Sequence, residues 1–229
     1  MFSLQTIFGK GDRFYGLLEQ SAEAAHNAAK ALTALLGVRG KSASLDDFRL
    51  AHKQEKELAA KISQELVNTF VTVLEREDIE ALSTSFYKIP KTVEKFAERY
   101  LITVEKLGDI DFGARAAMLE KATEVIVQMT RQLRKGVQLD AMKQLNDRMQ
   151  SIENEADRLI LDLYRDLFTS EKDPVVLILR KDLFEILEKA IDRCRDAGNV
   201  IYQIVLKNSC GCRHGIVRCA AGGFDCLDF

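Results

Sequence analysis

The chain has 229 residues, 47% of them hydrophobic, and 33 basic side chains stand against 35 acidic ones for a formal net charge of −2. This much apolar chain can bury a core, which excludes disorder as a description of the whole, and the charge balance excludes a dedicated nucleic-acid binder, which would carry a basic excess. Only two prolines and no tryptophan occur, so long stretches are free to be helical and a loop-rich sandwich or barrel is disfavoured.

Met1 to Phe8 carry neither a basic segment nor a sustained apolar one, so no signal peptide is expected. No run approaches the roughly 18 apolar residues of a membrane span. A cytoplasmic protein is the expectation. From there, apolar residues recur at helical spacing along the chain. Phe14, Leu17, Leu18, Ala22, Ala25, Ala29, Leu32 and Leu36 form the first stripe, closed by Gly37 to Gly40. Ser44 is placed to cap a second helix carrying Leu45, Phe48, Leu58, Ile62, Leu66 and Phe70. A third carries Leu82, Phe86, Ile89, Val93 and Phe96, with Pro90 inside the pattern predicting a kink or a break. Gly108-Asp109 marks the next connection. Met118 to Leu133 supply a fourth stripe and Leu145 to Leu167 a fifth; Asp173-Pro174 is a cap and first-turn pair for the sixth, which runs through Leu179, Leu187 and Cys194. The fold class expected is all-α, with six long helices.

An internal repeat organises these helices. Subtracting 101 from second-half positions lays Leu119 on Leu18, Leu133 on Leu32, Leu159 on Leu58, Leu183 on Leu82 and Leu187 on Phe86. Register held through three helices and two connections divides the chain into two pseudo-symmetric three-helix bundles, residues 1–108 and 109–209, followed by a Cys-rich tail, 210–229.

Chemistry concentrates in the second unit. Glu153 and Asp157 are four residues apart, as are Glu188 and Asp192, so each pair shares one helix face. The short connection from Thr169 to Asp173 predicts a hairpin of the fifth and sixth helices, which turns these edges toward each other. Glu155, Glu185 and Asp196 lie nearby as additional ligands. A hard-oxygen cluster of this kind suits magnesium, manganese or iron and accepts zinc. The competing reading is a solvated helix face, with Arg158, Lys189, Arg193 and Arg195 as counter-charges. The positions 101 earlier hold His52, Lys56, Tyr87 and Lys91, so the first unit lacks the carboxylate set. Its Lys56, Lys88 and Lys91 offer instead a face for an anion or an acidic partner.

The chain resembles the PhoU-like phosphate transport regulators, in their Pit accessory protein branch. The stretches that carry the resemblance are Thr69-Phe70-Val71-Thr72 with Arg76-Glu77-Asp78-Ile79, Ile152-Glu153-x-Glu155-Ala156-Asp157, Leu167-Phe168 with Asp173-Pro174, and Leu187-Glu188-x3-Asp192 leading to Asn199 and Lys207-Asn208-Ser209. They span nearly the whole chain, and their order and spacing together are what is specific. The resemblance implies two three-helix bundles, metal held on E-x3-D motifs, and a non-enzymatic role beside a membrane phosphate transporter of the Pit type, peripheral to the inner face of the membrane. The E-x3-D motif is complete only at Glu153/Asp157 and Glu188/Asp192, which implies one metal cluster, of a divalent or trivalent ion such as iron, zinc, manganese or magnesium.

Two other function classes stay open: a metal-dependent carboxylate-bundle enzyme, di-iron or phosphohydrolase-like, and a helical scaffold that self-assembles into a homo-oligomer. Against the enzyme, Glu23-x2-His26 is a lone Glu-x-x-His motif, and Val127 stands at the second-unit equivalent of His26. Cys210, Cys212, His214, Cys219 and Cys226 are zinc-ligand types at a spacing that matches no standard finger, and a flexible extension is the simpler expectation.

Overall fold

Residues spaced three and four apart give each helix one buried stripe, and the six helices expected are the six present in the computed structural model. Among the described residues they are α1 (Leu4–Gly37), α2 (Asp46–Asn68), α3 (Arg76–Thr103), α4 (Gly113–Arg134), α5 (Leu139–Ser170) and α6 (Pro174–Ser209), with a 3₁₀ turn, Val104–Lys106, after α3. The structure describes residues 4–37, 45–108, 110–136, 138–171 and 173–209, and among these there is no strand. Ser44 and the cysteine-rich tail lie outside the described residues.

The helices α1, α2 and α3 each pack against the other two, as do α4, α5 and α6; α1 against α4 and α3 against α6 join the triplets. The offset of 101 carries α1 onto α4, α2 onto α5 and α3 onto α6. Its matched pairs Leu18/Leu119, Leu82/Leu183 and Phe86/Leu187 are all buried. One hydrophobic cluster runs through both triplets from Phe14 to Val205, so the core is continuous across the pseudo-symmetric halves. Cys194 belongs to it as a packing residue: it is fully buried, its Sγ lies 3.3 Å from the Ala190 carbonyl, and burial pushes its thiol pKa up.

Helix ends are set by particular side chains. Asp173 Oδ1 accepts the Val175 N–H at 2.8 Å ahead of Pro174 at the first position of α6, the expected cap. Gly108 adopts φ +64°, and the Arg180 guanidinium donates two hydrogen bonds to the adjacent Leu107 carbonyl at 2.8 and 2.7 Å. These tie the α3–α4 connection to the start of α6.

Two expectations are corrected. The second helix stops at Asn68, with Thr69 extended, and Phe70 stands 96% exposed in the connection instead of in the stripe. The Arg76 guanidinium donates to the Leu66 and Thr69 carbonyls, so the carbonyls at the end of α2 are satisfied by the helix that follows. Of the kink or break expected at Pro90, the break does not occur: α3 is continuous from Arg76 to Thr103 with Pro90 buried inside it. A ring that costs a backbone hydrogen bond is tolerated here where tertiary packing holds the helix on both sides.

Candidate metal centre

In the α5–α6 hairpin, Glu153 and Asp157 sit one turn apart on α5, and Asp192 faces them from α6. One carboxylate oxygen from each lies within 4.8 Å of the others. Glu153 is buried, Asp192 half-buried and Asp157 exposed, so the set forms the wall and mouth of a surface site. Glu188, one turn before Asp192, lies outside this set of three but is close enough for its charge to interact with Asp157 and Asp192.

The electrostatics are those of an anionic cluster short of positive charge. Burial raises the pKa of Asp192, and the charges of Asp157, Glu153 and Asp196 raise it further against Arg195. Burial likewise raises Glu188, followed by repulsion from Asp192, Asp157 and Glu185. Among the described residues, Arg195 is the one cation drawn into the cluster: its guanidinium donates to Glu153 and lies 3.6 Å from Asp196. Burial disfavours its charge, yet Glu153, Asp192 and Asp196 together hold its pKa above the ordinary value. Gln150 also donates to Glu153. Four carboxylates against one guanidinium leave a local excess of negative charge that a hard multivalent cation would neutralise.

The three additional candidates are engaged elsewhere or face outward. Glu185 accepts hydrogen bonds from Lys181 and, at 2.9 Å, from the Tyr164 hydroxyl, which lower its pKa. Tyr164 is pushed up to about 12, by burial first and then by Glu185. Asp196 pairs with Arg193 at 3.3 Å. Glu155 is exposed on α5.

At the equivalent place in the first triplet, the structure shows a different arrangement. His52 is held between Glu94 at Nδ1 and the Tyr87 hydroxyl, 3.3 Å from Nε2, and Lys91 lies 5.7 Å from the Tyr87 ring centroid. These residues satisfy one another without a carboxylate pair. Lys88 and Lys91 line a groove against α6, whereas Lys56 is exposed on α2 and does not line it. His26 is half-buried, hydrogen-bonded to Thr123 Oγ1 at 3.0 Å and lowered in pKa by burial, while Glu23 pairs with Arg131. The Glu-x-x-His pair is thereby split between two partners.

Sequence reasoning placed Arg195 only among four counter-charges of equal standing; its selection depends on the rotation of α6. It also missed Glu55, a fully buried carboxylate on α2 with neither oxygen hydrogen-bonded among the described residues. The signal was available: the repeat sets Glu55 against Ala156, a core position.

Comparison with solved structures settles the architecture. The chain superposes on two proteins of Shewanella oneidensis MR-1, one described as PhoU-like and one as a candidate PhoU-like phosphate regulatory protein. Their TM-scores are 0.75 and 0.74, each at 20% identity and covering 85% of this chain and 99% of that one. The fold is PhoU-like. In sequence, the PhoU-like chain is 24% identical over 206 residues to a candidate Pit accessory protein of Rhizobium meliloti (strain 1021), covering 88% of this chain and 96% of that protein. It is 27% identical over 150 residues to the protein YkaA of Bacillus subtilis (strain 168), covering 64% of this chain and 71% of that protein. No family profile matches the chain. The resemblance read from the motifs is borne out by these likenesses to PhoU-like structures and to a Pit accessory protein.

Proposed function

We propose that this PhoU-like chain is a non-catalytic accessory regulator of inorganic phosphate transport that holds one divalent or trivalent metal ion at Glu153, Asp157, Glu188 and Asp192. The observation that carries the metal half is the approach of Glu153, Asp157 and Asp192 oxygens to within 4.8 Å across two helices, in a cluster whose charge exceeds its one guanidinium. The donor set fits: all-oxygen, partly exposed for entry, and open to carboxylate, water or phosphate as further ligands. Iron, manganese, zinc and magnesium all accept such donors. When bound, the ion would supply a positive centre able to receive an oxyanion or a carboxylate of a second copy of the chain. Arg195 would then release Glu153, so the site exchanges one guanidinium for the metal.

The transport half is supported by similarity to a candidate Pit accessory protein along nearly the whole chain. No helix among the described residues is long and apolar enough to cross a membrane. In this reading the role is peripheral, at the cytoplasmic face beside a Pit-type transporter, as the resemblance implies. The division of labour follows the two units: 109–209 carries the metal, and 1–108 presents Lys88 and Lys91 to an anion or an acidic partner, with homo-oligomerisation available through the metal.

Equilibrium dialysis with iron, zinc and manganese, followed by elemental analysis, tests the metal. Wild type is expected to retain about one ion or one compact cluster per chain and Asp157→Ala/Asp192→Ala none; equal retention by both proteins would remove the site. Phosphate uptake in cells carrying a Pit-type transporter, with and without this chain, tests the role. Unchanged uptake at all phosphate concentrations would remove the transport half alone.

A further inference from the structure

Helix α6 has two chemically opposite edges. Glu188 and Asp192 turn toward α5, while Lys189 and Arg193, one position on from each, turn toward α3. There they meet Lys88, Lys91 and Lys95, and with Thr92 these five cations line a groove of about 220 Å³ between α3 and α6. On α3 the lysines follow one another at three and four residues, and on α6 the two cations are four apart, spacings at which like charges repel.

Four of these five cations have no ion-pair partner among the described residues. No carboxylate lies within ion-pairing distance of Lys88, Lys91, Lys95 or Lys189 among the described residues; Arg193 alone has one, Asp196 at 3.3 Å. Of the nearby acids, Glu94 pairs with His52, Glu185 with Lys181 and Tyr164, and Asp192 belongs to the acidic cluster, while Glu98, three residues on from Lys95, makes no ion pair with it. Two packed helices that bring five cations to one groove, four of them without an ion-pair partner, form a positive patch that attracts an anion from solution.

The groove also narrows the class of anion. A phosphoryl group carries only about −1.5 to −2 at neutral pH, which leaves about half of the four unpaired cations unmatched. A chain of linked phosphates supplies more charge and repeats its oxygens along a line, as the lysines repeat along the helix. Ammonium groups, with three donors each on flexible stems, suit such an array of oxygens. The one apolar lining residue is Ile186, and no aromatic ring lines the groove, so a nucleobase has no stacking platform. We infer that the α3–α6 groove is a binding site for condensed phosphate, tripolyphosphate or longer. The site lies on the opposite edge of α6 from the acidic cluster and does not depend on the metal reading.

The test is calorimetric titration of the full chain with tripolyphosphate and with orthophosphate, in low salt and without metal. Tripolyphosphate is expected to bind at least about tenfold more tightly than orthophosphate and to weaken with added salt, as exposed charge pairs do. Lys88→Gln/Lys95→Gln/Lys189→Gln should lose about tenfold or more in affinity, whereas Lys53→Gln/Lys121→Gln/Lys143→Gln, with the same net charge, should lose almost none. Circular dichroism confirms that both variants are folded. Absence of tripolyphosphate binding to the wild type, equal binding of orthophosphate, or equal losses in the two variants would each overturn the proposal. So would cosedimentation with phosphatidylglycerol-containing vesicles that the first variant abolishes while tripolyphosphate fails to bind, since the groove would then be a membrane-facing surface. Metal retention is measured separately, and its failure would leave this result standing.

Discussion

Position 55 places a carboxyl group in the first bundle's core where the second unit has Ala156, and Ser21 faces it where the second unit has Ala122. The Glu55 oxygens and Ser21 Oγ all lack hydrogen-bond partners among the described residues. Burial pushes Glu55 from 4.5 up to about 8, so at neutral pH it sits in the core as the neutral acid. The sign follows from proton binding: the folded chain holds this proton where the unfolded chain releases it. Stability from this group is complete below pH 4.5 and declines until about pH 8. Urea titrations across that range should show the decline in wild type and its absence in Glu55→Gln, a difference on the order of a few kcal/mol at the alkaline end. A slope shared by both proteins would assign it to other groups. Arg195 is the converse case, a cation kept for its neighbours. Arg195→Met leaves Glu153 buried with the Gln150 hydrogen bond but without its counter-charge, and should destabilise the metal-free protein by about 1–3 kcal/mol, with much of the loss restored by added metal. Destabilisation that metal leaves unchanged would show that Arg195 acts through packing alone.

The elements differ in how far their own residues decide them. Each helix was legible as a stripe, and the Asp173-Pro174 start of α6 as a cap, because these depend on spacing within a few residues. The end of α2 was not, because it is set by the Arg76 guanidinium from the next helix, and Phe70 continues the helical spacing without continuing the helix. The connection from α3 to α4 mixes both kinds of cause. Gly108 at φ +64° is a local requirement, and the Arg180 bonds to Leu107 are a distant one. A Cβ at 108 would lie 2.9 Å from Arg180 Nη2. Gly108→Ala should therefore cost about 1–3 kcal/mol, the usual penalty for a left-handed non-glycine residue. That corresponds to a fall of about 2–4 °C in melting temperature per kcal/mol for a chain of this size. An unchanged melting temperature would mean the connection relaxes freely.

Over the whole molecule, the repeat describes a common frame with unlike contents. The halves share buried stripes and a continuous core, yet the same two helix faces hold three converging carboxylates in one half and a His52–Tyr87–Glu94 arrangement in the other. Metal binding should register as global stability. Because Glu188 and Asp192 are raised in the folded state, the metal-free protein gains from protonating them and loses that gain as pH rises through their raised values. An ion at a hundredfold excess over its dissociation constant would add about 2.7 kcal/mol. Thermal melts should accordingly shift upward with metal, more at neutral than at mildly acid pH where protons compete, and not at all in Asp157→Asn/Asp192→Asn. A shift of equal size in that variant would place the ion elsewhere.

Periodicity alone determined six helices, their pairing at an offset of 101, and the candidate ligands on α5 and α6, because a helix presents residues three and four apart on one face whatever surrounds it. The tertiary structure decided how those faces are turned. It brought Arg195 to Glu153 while turning Lys189 and Arg193 to the lysines of α3, left Glu188 outside the tight set of three, and buried Glu55 without a partner. The near-neutral net charge of the chain thus conceals an acidic cluster and a basic groove on two edges of one helix. Charges one residue apart are separated by about 100° around a helix, and only packing against two different neighbours determines what each edge meets.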